Sequence, residues 1–190
     1  MRHHRSDVVE RALAVLDDYG LASLTMRRLG SELGVQPSAL YHHFLNKQTL
    51  LAAVADEILT RGRRPRAAST WDCQVAEVCR ELRDSMLAFR DGADVVATVF
   101  AFGLGASGPA EELEELLAGA GLPDDLVAVG SRTLVHFVFG HTFEEQTALQ
   151  ANSLGAIDLP ARASQFDLGL QLVLDGLRSR VGQQSLSPTR

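Results

Sequence analysis

Apolar residues recur every three or four positions through most of the chain, and the alternation typical of strands is absent. Val8, Ala12, Val15 and Leu16 form the first apolar stripe, and Gly20 follows it where a helix C-cap is expected. The same spacing recurs along the chain, interrupted by glycine- and proline-containing breaks. The pattern predicts an all-α fold of about nine or ten helices.

Residues that favour the start or the end of a helix predict where the next helices lie. Thr25 can cap a second helix, and Gly34 provides a sharp exit from it. Pro37 suits the first turn of a third helix, because that position needs no N–H donor. Asn46 can cap a fourth helix over residues 47–60. These short helices predict a helix–turn–helix near the start of the chain.

A polar segment with a proline, residues 62–70, follows as a plausible junction between domains. Beyond it an apolar stripe runs from Val75 to Met86, and shorter helical segments follow. A long helix is predicted over residues 123–150 and a last helix over 166–181. The segment between them, ANSLGAIDLP, is predicted to be a loop.

The charge is divided unevenly along the chain. The net charge is −6, yet residues 1–66 hold 10 Lys and Arg against 7 Asp and Glu, whereas residues 67–190 hold 8 against 17. A basic end suits a polyanion, and the acidic remainder suits other partners. An excess of this size also arises by chance, so charge alone does not decide the function.

The cysteines and the apolar segments bear on localisation. Cys73 and Cys79 are the only cysteines, and on one helix they point to different faces. We expect no disulfide between them and two buried thiols in a reducing cytoplasm. No apolar run reaches the ~18 residues of a membrane span, and acids follow the basic start too closely for a signal peptide.

Residues 34–47 combine two core positions four apart, Leu40 and Phe44, and a third at Pro37, with small and polar residues around them. A helix that enters the major groove of DNA needs a small outward face and flanking donors for phosphates. The outward positions are Ser38, Ala39 and His42, and the donors are Tyr41, His43 and Lys47, with Arg27 and Arg28 on the preceding helix. A helix–turn–helix that serves packing alone is the alternative.

The segment LTMRRLGSELGVQPSALYHHFLNKQTLL, residues 24–51, resembles the DNA-binding signature of the TetR family of bacterial transcriptional repressors. Gly30 stands where that signature usually has alanine. The resemblance implies base or nearby phosphate contacts from Arg27, Gln36, Ser38, Ala39 and His43, and phosphate contacts from Thr25, Tyr41 and Lys47. The whole predicted DNA-binding set is Thr25, Arg27, Arg28, Gln36, Pro37, Ser38, Ala39, Tyr41, His42, His43 and Lys47. The arm over residues 2–5 either adds a minor-groove or phosphate contact or is a frayed end.

A weaker resemblance continues into the second half. FRDGADV, residues 89–95, and the segments around His136 and Phe166 are similar to the tetracycline-repressor branch of the family. The resemblance implies homodimerisation through residues 123–150 and 166–181, where Gly130, Gly140, Gly169 and Gly176 would allow close helix approach. We expect domains over residues 1–46 (helix–turn–helix), 47–66 (connecting helix and linker), 67–184 (ligand binding and dimerisation) and 185–190 (disordered tail).

The resemblance also implies a small-molecule effector, but not the drug–magnesium complex of that branch. Val96 stands where the branch has its metal-chelating histidine, whereas Glu144 keeps the position of the acidic partner. We therefore expect an apolar or aromatic effector, with no cofactor and no resident metal. The candidate ligand-binding residues are Leu82, Met86, Phe89, Val96, Phe100, Phe102, His136, Phe137 and Glu144. A simple core role is the alternative for each.

One other function class stays open at this point. His136, His141, Glu144 and Glu145 lie within three turns of the same predicted helix and are possible metal ligands. They give the alternative of an all-α metal-dependent hydrolase, although their spacing matches no catalytic motif with a defined mechanism. Whether Glu144, Glu145 and His141 take part in ligand or metal binding is left open by the sequence.

Overall fold

The computed structural model describes residues 3–153 and 164–184, and the side chains of the last helix up to residue 181. Over this part of the chain it contains nine α-helices and no strand, so the predicted all-α fold is confirmed. A short 3-10 helix, Leu21–Ser23, lies between the first two helices. The α-helices are α1 (Arg5–Tyr19), α2 (Met26–Leu33), α3 (Pro37–Leu40), α4 (Lys47–Gly62), α5 (Trp71–Leu87), α6 (Gly92–Ala101), α7 (Gly108–Gly119), α8 (Asp124–Ser153) and α9 (Phe166–Gln184).

The predicted caps of the first helices are confirmed. The hydroxyl of Thr25 accepts a hydrogen bond from the N–H of Arg28 at 3.1 Å, and Gly34 adopts the left-handed conformation with φ of 67°. The side-chain oxygen of Asn46 accepts from the N–H of Thr49 at 2.9 Å. Each cap satisfies backbone groups that the helix itself leaves unpaired, which explains why these helices begin and end where they do.

The chain forms two compact units, and neither is continuous in sequence. The first comprises Met1–Arg63 and Asp84–Ala106, and the second comprises Arg64–Arg83 and Ser107–Arg190. The segment containing α6 therefore belongs to the same unit as the helix–turn–helix. The predicted boundaries at residues 46 and 66 remain a prediction about functional domains, and the compact units divide the chain differently.

The core of the first unit lies between α1, α4 and α6. Val8 and Leu16 of α1, Leu50 and Ile58 of α4 and Val96 of α6 are fully buried. The apolar spacing of each helix is what turns these side chains inward. An ion pair between Arg61 and Glu10 further joins α4 to α1, and hydrogen bonding to Glu57 and attraction to Glu10 raise the pKa of Arg61.

The second unit is held by charged contacts as well as by its apolar core. The Arg66 guanidinium, in the linker before α5, lies 2.8 Å from carboxylate oxygens of both Glu81 and Glu112. Hydrogen bonds to these two carboxylates raise the pKa of Arg66, and the bond to Glu112 has the larger effect. On α5, Arg83 donates to Glu145 of α8 at 2.9 Å. These contacts fasten the linker and α5 onto α7 and α8.

The two cysteines of α5 lie in different surroundings. Cys79 is buried, and burial raises the pKa of its thiol to about 12, but the expectation that Cys73 is buried is wrong, because it is exposed. Six residues apart on α5, the two side chains lie on different faces, and only one face is covered.

The predicted loop begins later than expected, since α8 continues to Ser153. The rest of that predicted loop, residues 154–160, and the predicted disordered tail, residues 185–190, lie outside the described residues.

None of the helices described is both long enough and apolar enough to cross a membrane.

Candidate nucleic-acid interface

The recognition segment, residues 34–44, consists of a sharp turn, the single-turn helix α3 and a further turn over residues 41–43. Its two inward side chains, Leu40 and Phe44, are 1% and 2% exposed. Ser38 and His42 are exposed, as the outward face requires. Tyr41 is 49% exposed at the flank. The structure therefore shows Leu40 and Phe44 inward and Ser38 and His42 outward, as predicted, whereas Pro37 and Ala39 are only partly exposed.

The other residues of the predicted DNA-binding set surround this segment. Thr25, Arg27 and Gln36 are exposed. The partly exposed members of the set are Arg28, Pro37, Ala39, His43 and Lys47. The pattern places donors and small side chains at the surface of one helix–turn–helix, and their roles toward DNA remain a prediction.

Arg28 has intramolecular partners that the sequence did not indicate. Its guanidinium carbon lies 3.7 Å from the ring centroid of Tyr19, and a terminal nitrogen lies 3.5 Å from the carboxylate of Glu32. The Nε atom of Arg28 is buried and has no hydrogen-bond partner. A phosphate contact by Arg28 would therefore compete with Glu32 for the same guanidinium.

Three residues beside the recognition segment have positions that the sequence did not predict, although two of them belong to the arm over residues 2–5. A ring nitrogen of His3 lies 3.1 Å from the carbonyl oxygen of Leu33, and the Arg5 guanidinium lies over the Phe44 ring, 4.7 Å from its centroid. Leu45, which no expectation singled out, is 83% exposed between the recognition segment and α4. Pairings between residues about 30 or 40 positions apart carry no periodic signal, so only the structure reveals them.

Both ends of the α6 segment are fastened within the first unit by carboxylates. Asp91, just before α6, accepts a hydrogen bond from the N–H of Leu21 at 2.7 Å. Asp56, on α4, accepts from the N–H of Ala106 at 2.8 Å. Asp91 and Ala106 both have positive φ, 55° and 59°, a conformation uncommon for residues other than glycine. The segment that follows α5 is thus tied to α4 and to the connection between α1 and α2.

The predicted ligand-binding residues are divided between the two units. In the first unit Met86 and Val96 are fully buried and Phe102 is 68% exposed, while Phe89 and Phe100 are half-buried. In the second unit Leu82 is 3% exposed. There Phe137 is half-buried, and His136 and Glu144 are exposed. Their roles toward a ligand stay a prediction.

Two of the candidate metal ligands of α8, Glu145 and His141, contact side chains of other types. Glu145 is paired with Arg83, with 2.6 Å between the terminal nitrogen and the carboxylate oxygen. The ring of His141 lies 5.4 Å from that of Phe137 and 5.6 Å from that of Phe166, centroid to centroid. Within the described ranges no group of three or more His, Cys, Asp or Glu side chains could hold a metal ion. The hydrolase alternative therefore has no support.

Exposed apolar side chains form stripes on α8 and α9. On α8, Val129 and Phe143 are 58% and 55% exposed and lie fourteen residues apart, with Gly140 between them on the same face. On α9, Leu168 and Leu172 are 66% and 69% exposed and lie one turn apart. Solvated helices normally turn such side chains inward, so these stripes fit an interface with another chain.

The four glycines of these helices fall into two pairs. A Cβ at Gly130 would lie 3.1 Å from Leu117, and one at Gly169 would lie 2.8 Å from the Phe137 ring, so both pack within the chain. This corrects their expected place in a dimer interface, because neighbouring helices of the same chain already occupy the space beside them. Gly140 and Gly176 have no heavy atom within 4 Å of such a Cβ. Only the latter pair leaves room for a partner.

Comparison with known protein families yields two matches that cover most of the chain. Residues 8–54 match the family described as bacterial regulatory proteins, tetR family. Residues 64–165 match the family described as tetracyclin repressor-like, C-terminal domain. The first range contains α2, α3 and the turns around them, and the second contains α5 to α8.

Individual relatives agree with these matches. The tetracycline repressor protein class A from transposon 1721 of Escherichia coli is 30% identical, over 91% of this chain and 89% of the relative. The crystal structure of Mycobacterium smegmatis BioQ is 44% identical, with a TM-score of 0.87 over 94% of this chain and 99% of that one. BioQ solved with its natural double-stranded DNA operator is 42% identical, with a TM-score of 0.80 over 93% of this chain and 99% of that one.

Proposed function

Since the chain belongs to the tetR family of bacterial regulatory proteins, whose members are ligand-responsive DNA-binding transcriptional regulators, we propose that it is a homodimeric repressor. It binds a pseudo-palindromic operator and leaves it when a small apolar or aromatic molecule binds. The observation that carries the proposal is the recognition segment, in which Ser38 and His42 face outward while Leu40 and Phe44 are buried. The proposal includes no enzymatic reaction and places the protein with its DNA in the cytoplasm.

The exposed residues divide into readers of bases and anchors on phosphates. Gln36 can pair with an adenine edge through two hydrogen bonds, and Arg27 can do the same with guanine. Tyr41, His43 and Lys47 carry donors suited to phosphate oxygens. The small side chains of Ser38 and Ala39 allow the helix to approach the base edges. The similarity to BioQ, which has been solved with its DNA operator, supports this arrangement.

Two subunits are needed because one recognition helix reads only half an operator. Regulators of this family are dimers, and we assign the interface to the exposed stripes of α8 and α9. Val129, Phe143, Leu168 and Leu172 would be covered by a second copy, and the open glycines would allow its helices to approach closely. Two copies on one face of B-DNA contact half-sites about 34–36 Å apart.

The α6 segment is the proposed route from effector to DNA. It belongs to the same compact unit as the helix–turn–helix, and Asp56 and Asp91 fasten its ends there. A displacement of residues 92–105 therefore acts directly on α4, which follows the recognition segment. Repression is released only if the effector binds the DNA-incompetent state more tightly, and DNA must then weaken effector binding by the same factor.

Selection of duplexes from a random DNA library tests the DNA-binding part of the proposal. The enriched sequences should be pseudo-palindromic and should bind the dimer at physiological salt. Fluorescence anisotropy should show that Gln36→Ala relaxes the preference at one base pair per half-site. Lys47→Gln should instead weaken all sequences similarly and lower the salt slope by about 1. Each variant is the control for the other, and recovery of no preferred sequence would refute the proposal.

A ligand screen tests the effector part separately. A molecule that binds the native state raises its Tm, so thermal shift against apolar and aromatic metabolites and antibiotics should reveal stabilising compounds. A true effector must also release the selected duplex in the anisotropy assay. A compound that stabilises the protein without releasing DNA is not the effector. If the panel contains none, a DNA-binding regulator without an effector pocket is the better description.

A further inference from the structure

The recognition segment is too short to fix its own orientation. Its helix α3 has four residues, Pro37–Leu40, and such a helix gains almost no stability from its own hydrogen bonds. Its position must therefore come from contacts with the rest of the unit. Leu40 and Phe44 provide some of these contacts from the inward face. The ends of the segment, where it leaves α2 and enters α4, need contacts of their own.

His3 contacts the entry to the segment. Its Nε2 lies 3.1 Å from the carbonyl oxygen of Leu33, and because a carbonyl only accepts, the ring nitrogen is the donor. Leu33 is the last residue of α2, where carbonyl groups lack an intrahelical partner. The neighbouring N–H groups of Gly34 and Val35 are directed to Ser31 and Gly30 instead. His3 thus holds the last carbonyl before the turn.

Arg5 contacts the exit of the segment. Its guanidinium carbon lies 4.7 Å from the centroid of the Phe44 ring, within the range of a cation–π contact. The backbone between the two contacts is fixed as well, because the N–H of His4 donates to Asp7 at 2.7 Å and starts α1. His3 and Arg5, two positions apart, therefore contact the two sides of the recognition segment.

We infer that His3 and Arg5 are positioning residues for DNA recognition: they brace residues 34–44 from both ends instead of contacting the DNA themselves. This inference rests on the proposed DNA-binding function. It differs from the sequence-based alternative, in which the arm over residues 2–5 contacts the minor groove or phosphates of the DNA. The two readings make different predictions, since a phosphate contact contributes to the salt dependence of binding and a brace does not.

The test uses full-length His3→Ala, His3→Gln and Arg5→Gln, with Arg11→Gln as the matched control. Arg11 is exposed on α1, so its replacement removes the same charge without touching the recognition segment. Amide hydrogen exchange over residues 37–45 of the free protein should accelerate in His3→Ala and Arg5→Gln without a matching fall in Tm. Operator affinity should fall by about three- to ten-fold in each. Glutamine can donate to the Leu33 carbonyl, so His3→Gln should recover most of the loss.

Salt dependence separates the two readings. With a brace, the slope of log Kd against log salt is the same in Arg5→Gln as in Arg11→Gln and the parent protein. A slope lowered by about 0.9 in Arg5→Gln alone, with unchanged hydrogen exchange, would overturn the inference in favour of a phosphate contact. Unchanged exchange and affinity in both His3→Ala and Arg5→Gln would overturn it too. If the parent binds no duplex, the proposed function fails, while the exchange comparison still tests the brace.

Discussion

At the scale of single residues, Gly30 shows how a substitution that is unfavourable for a helix can serve packing. Helix propensity alone makes glycine in α2 worse than alanine by up to ~1 kcal/mol, which is all that the sequence indicates. In the structure a Cβ at this position would lie 2.9 Å from the carbonyl oxygen of Val35 and 3.3 Å from the nitrogen of Pro37. Both are backbone atoms, so α2 and the start of α3 approach closely because residue 30 has no side chain.

We expect Gly30→Ala to lower the free energy of unfolding despite the gain in helix propensity. Overpacking usually costs ~1–3 kcal/mol, against a propensity gain of up to ~1 kcal/mol. Urea unfolding would measure the difference. Gly119→Ala is the control, because a Cβ there has no heavy atom within 4 Å. A stability of Gly30→Ala equal to or above that of the parent would show that α3 accommodates the methyl group without strain.

At the scale of elements, the sequence predicted what is encoded locally. Thr25, Gly34 and Asn46 bond to backbone groups three or four positions away, so their residue types predicted the helix ends. The contacts of Asp56 and Asp91 reach 50 and 70 positions along the chain. The sequence around Asp56 does not distinguish it from a solvated surface acid, and the family-like segment FRDGADV around Asp91 does not indicate which group Asp91 contacts. The helices and the outward face of the recognition segment could therefore be predicted, whereas the bonds between elements could not.

The contact between α5 and α9 makes stability depend on pH in the acid range. Hydrogen bonds from Thr70 and then Arg178 lower the pKa of Asp72 to about 2, from 3.8, and Arg178 Nε donates to it at 2.8 Å. A lowered pKa stabilises the fold fully above pH ~4, and this contribution is lost as the pH falls toward 2. Asp72→Asn should therefore be less stable than the parent at pH 6.

The difference in unfolding free energy between Asp72→Asn and the parent should shrink between pH 4 and pH 2.5. Urea unfolding at pH 6, 4, 3 and 2.5 would follow it. Asp124→Asn, at an exposed acid of the first turn of α8, controls for general effects of charge. A difference that stays constant over this range would mean that the Asp72 carboxylate is not the titrating group.

At the scale of the whole molecule, function requires surfaces that a single chain leaves uncovered. Four leucine and valine side chains on α8 and α9 are more than half exposed: Val129, Leu149, Leu168 and Leu172. The sequence predicted an apolar face on both helices, but it did not distinguish between their four glycines. Only the structure separates Gly130 and Gly169, which pack within the chain, from Gly140 and Gly176, which face open space.

We expect Gly140→Leu to prevent dimerisation and to leave the fold of the subunit intact. A Cβ at this position meets no neighbouring helix of its own chain within 4 Å, so we expect the new side chain to extend into the space that the partner's helices would occupy. Light scattering coupled to gel filtration would report the mass, and circular dichroism the helix content. Gly119→Leu, equally open but on α7, should remain a dimer. If Gly140→Leu is still dimeric, the interface lies elsewhere.

Because each compact unit consists of two separate stretches of the chain, the choice of junction matters when two such regulators are joined in a chimera. Residues 84–106 lie in the compact unit of the helix–turn–helix, although the linker and most of α5 come before them. A chimera joined at a single point near residue 66 would take its α4 from one parent and its Ala106 from the other. The carboxylate of Asp56 would then meet a foreign loop. A graft that keeps residues 1–63 and 84–106 from one parent preserves both native fastenings of α6.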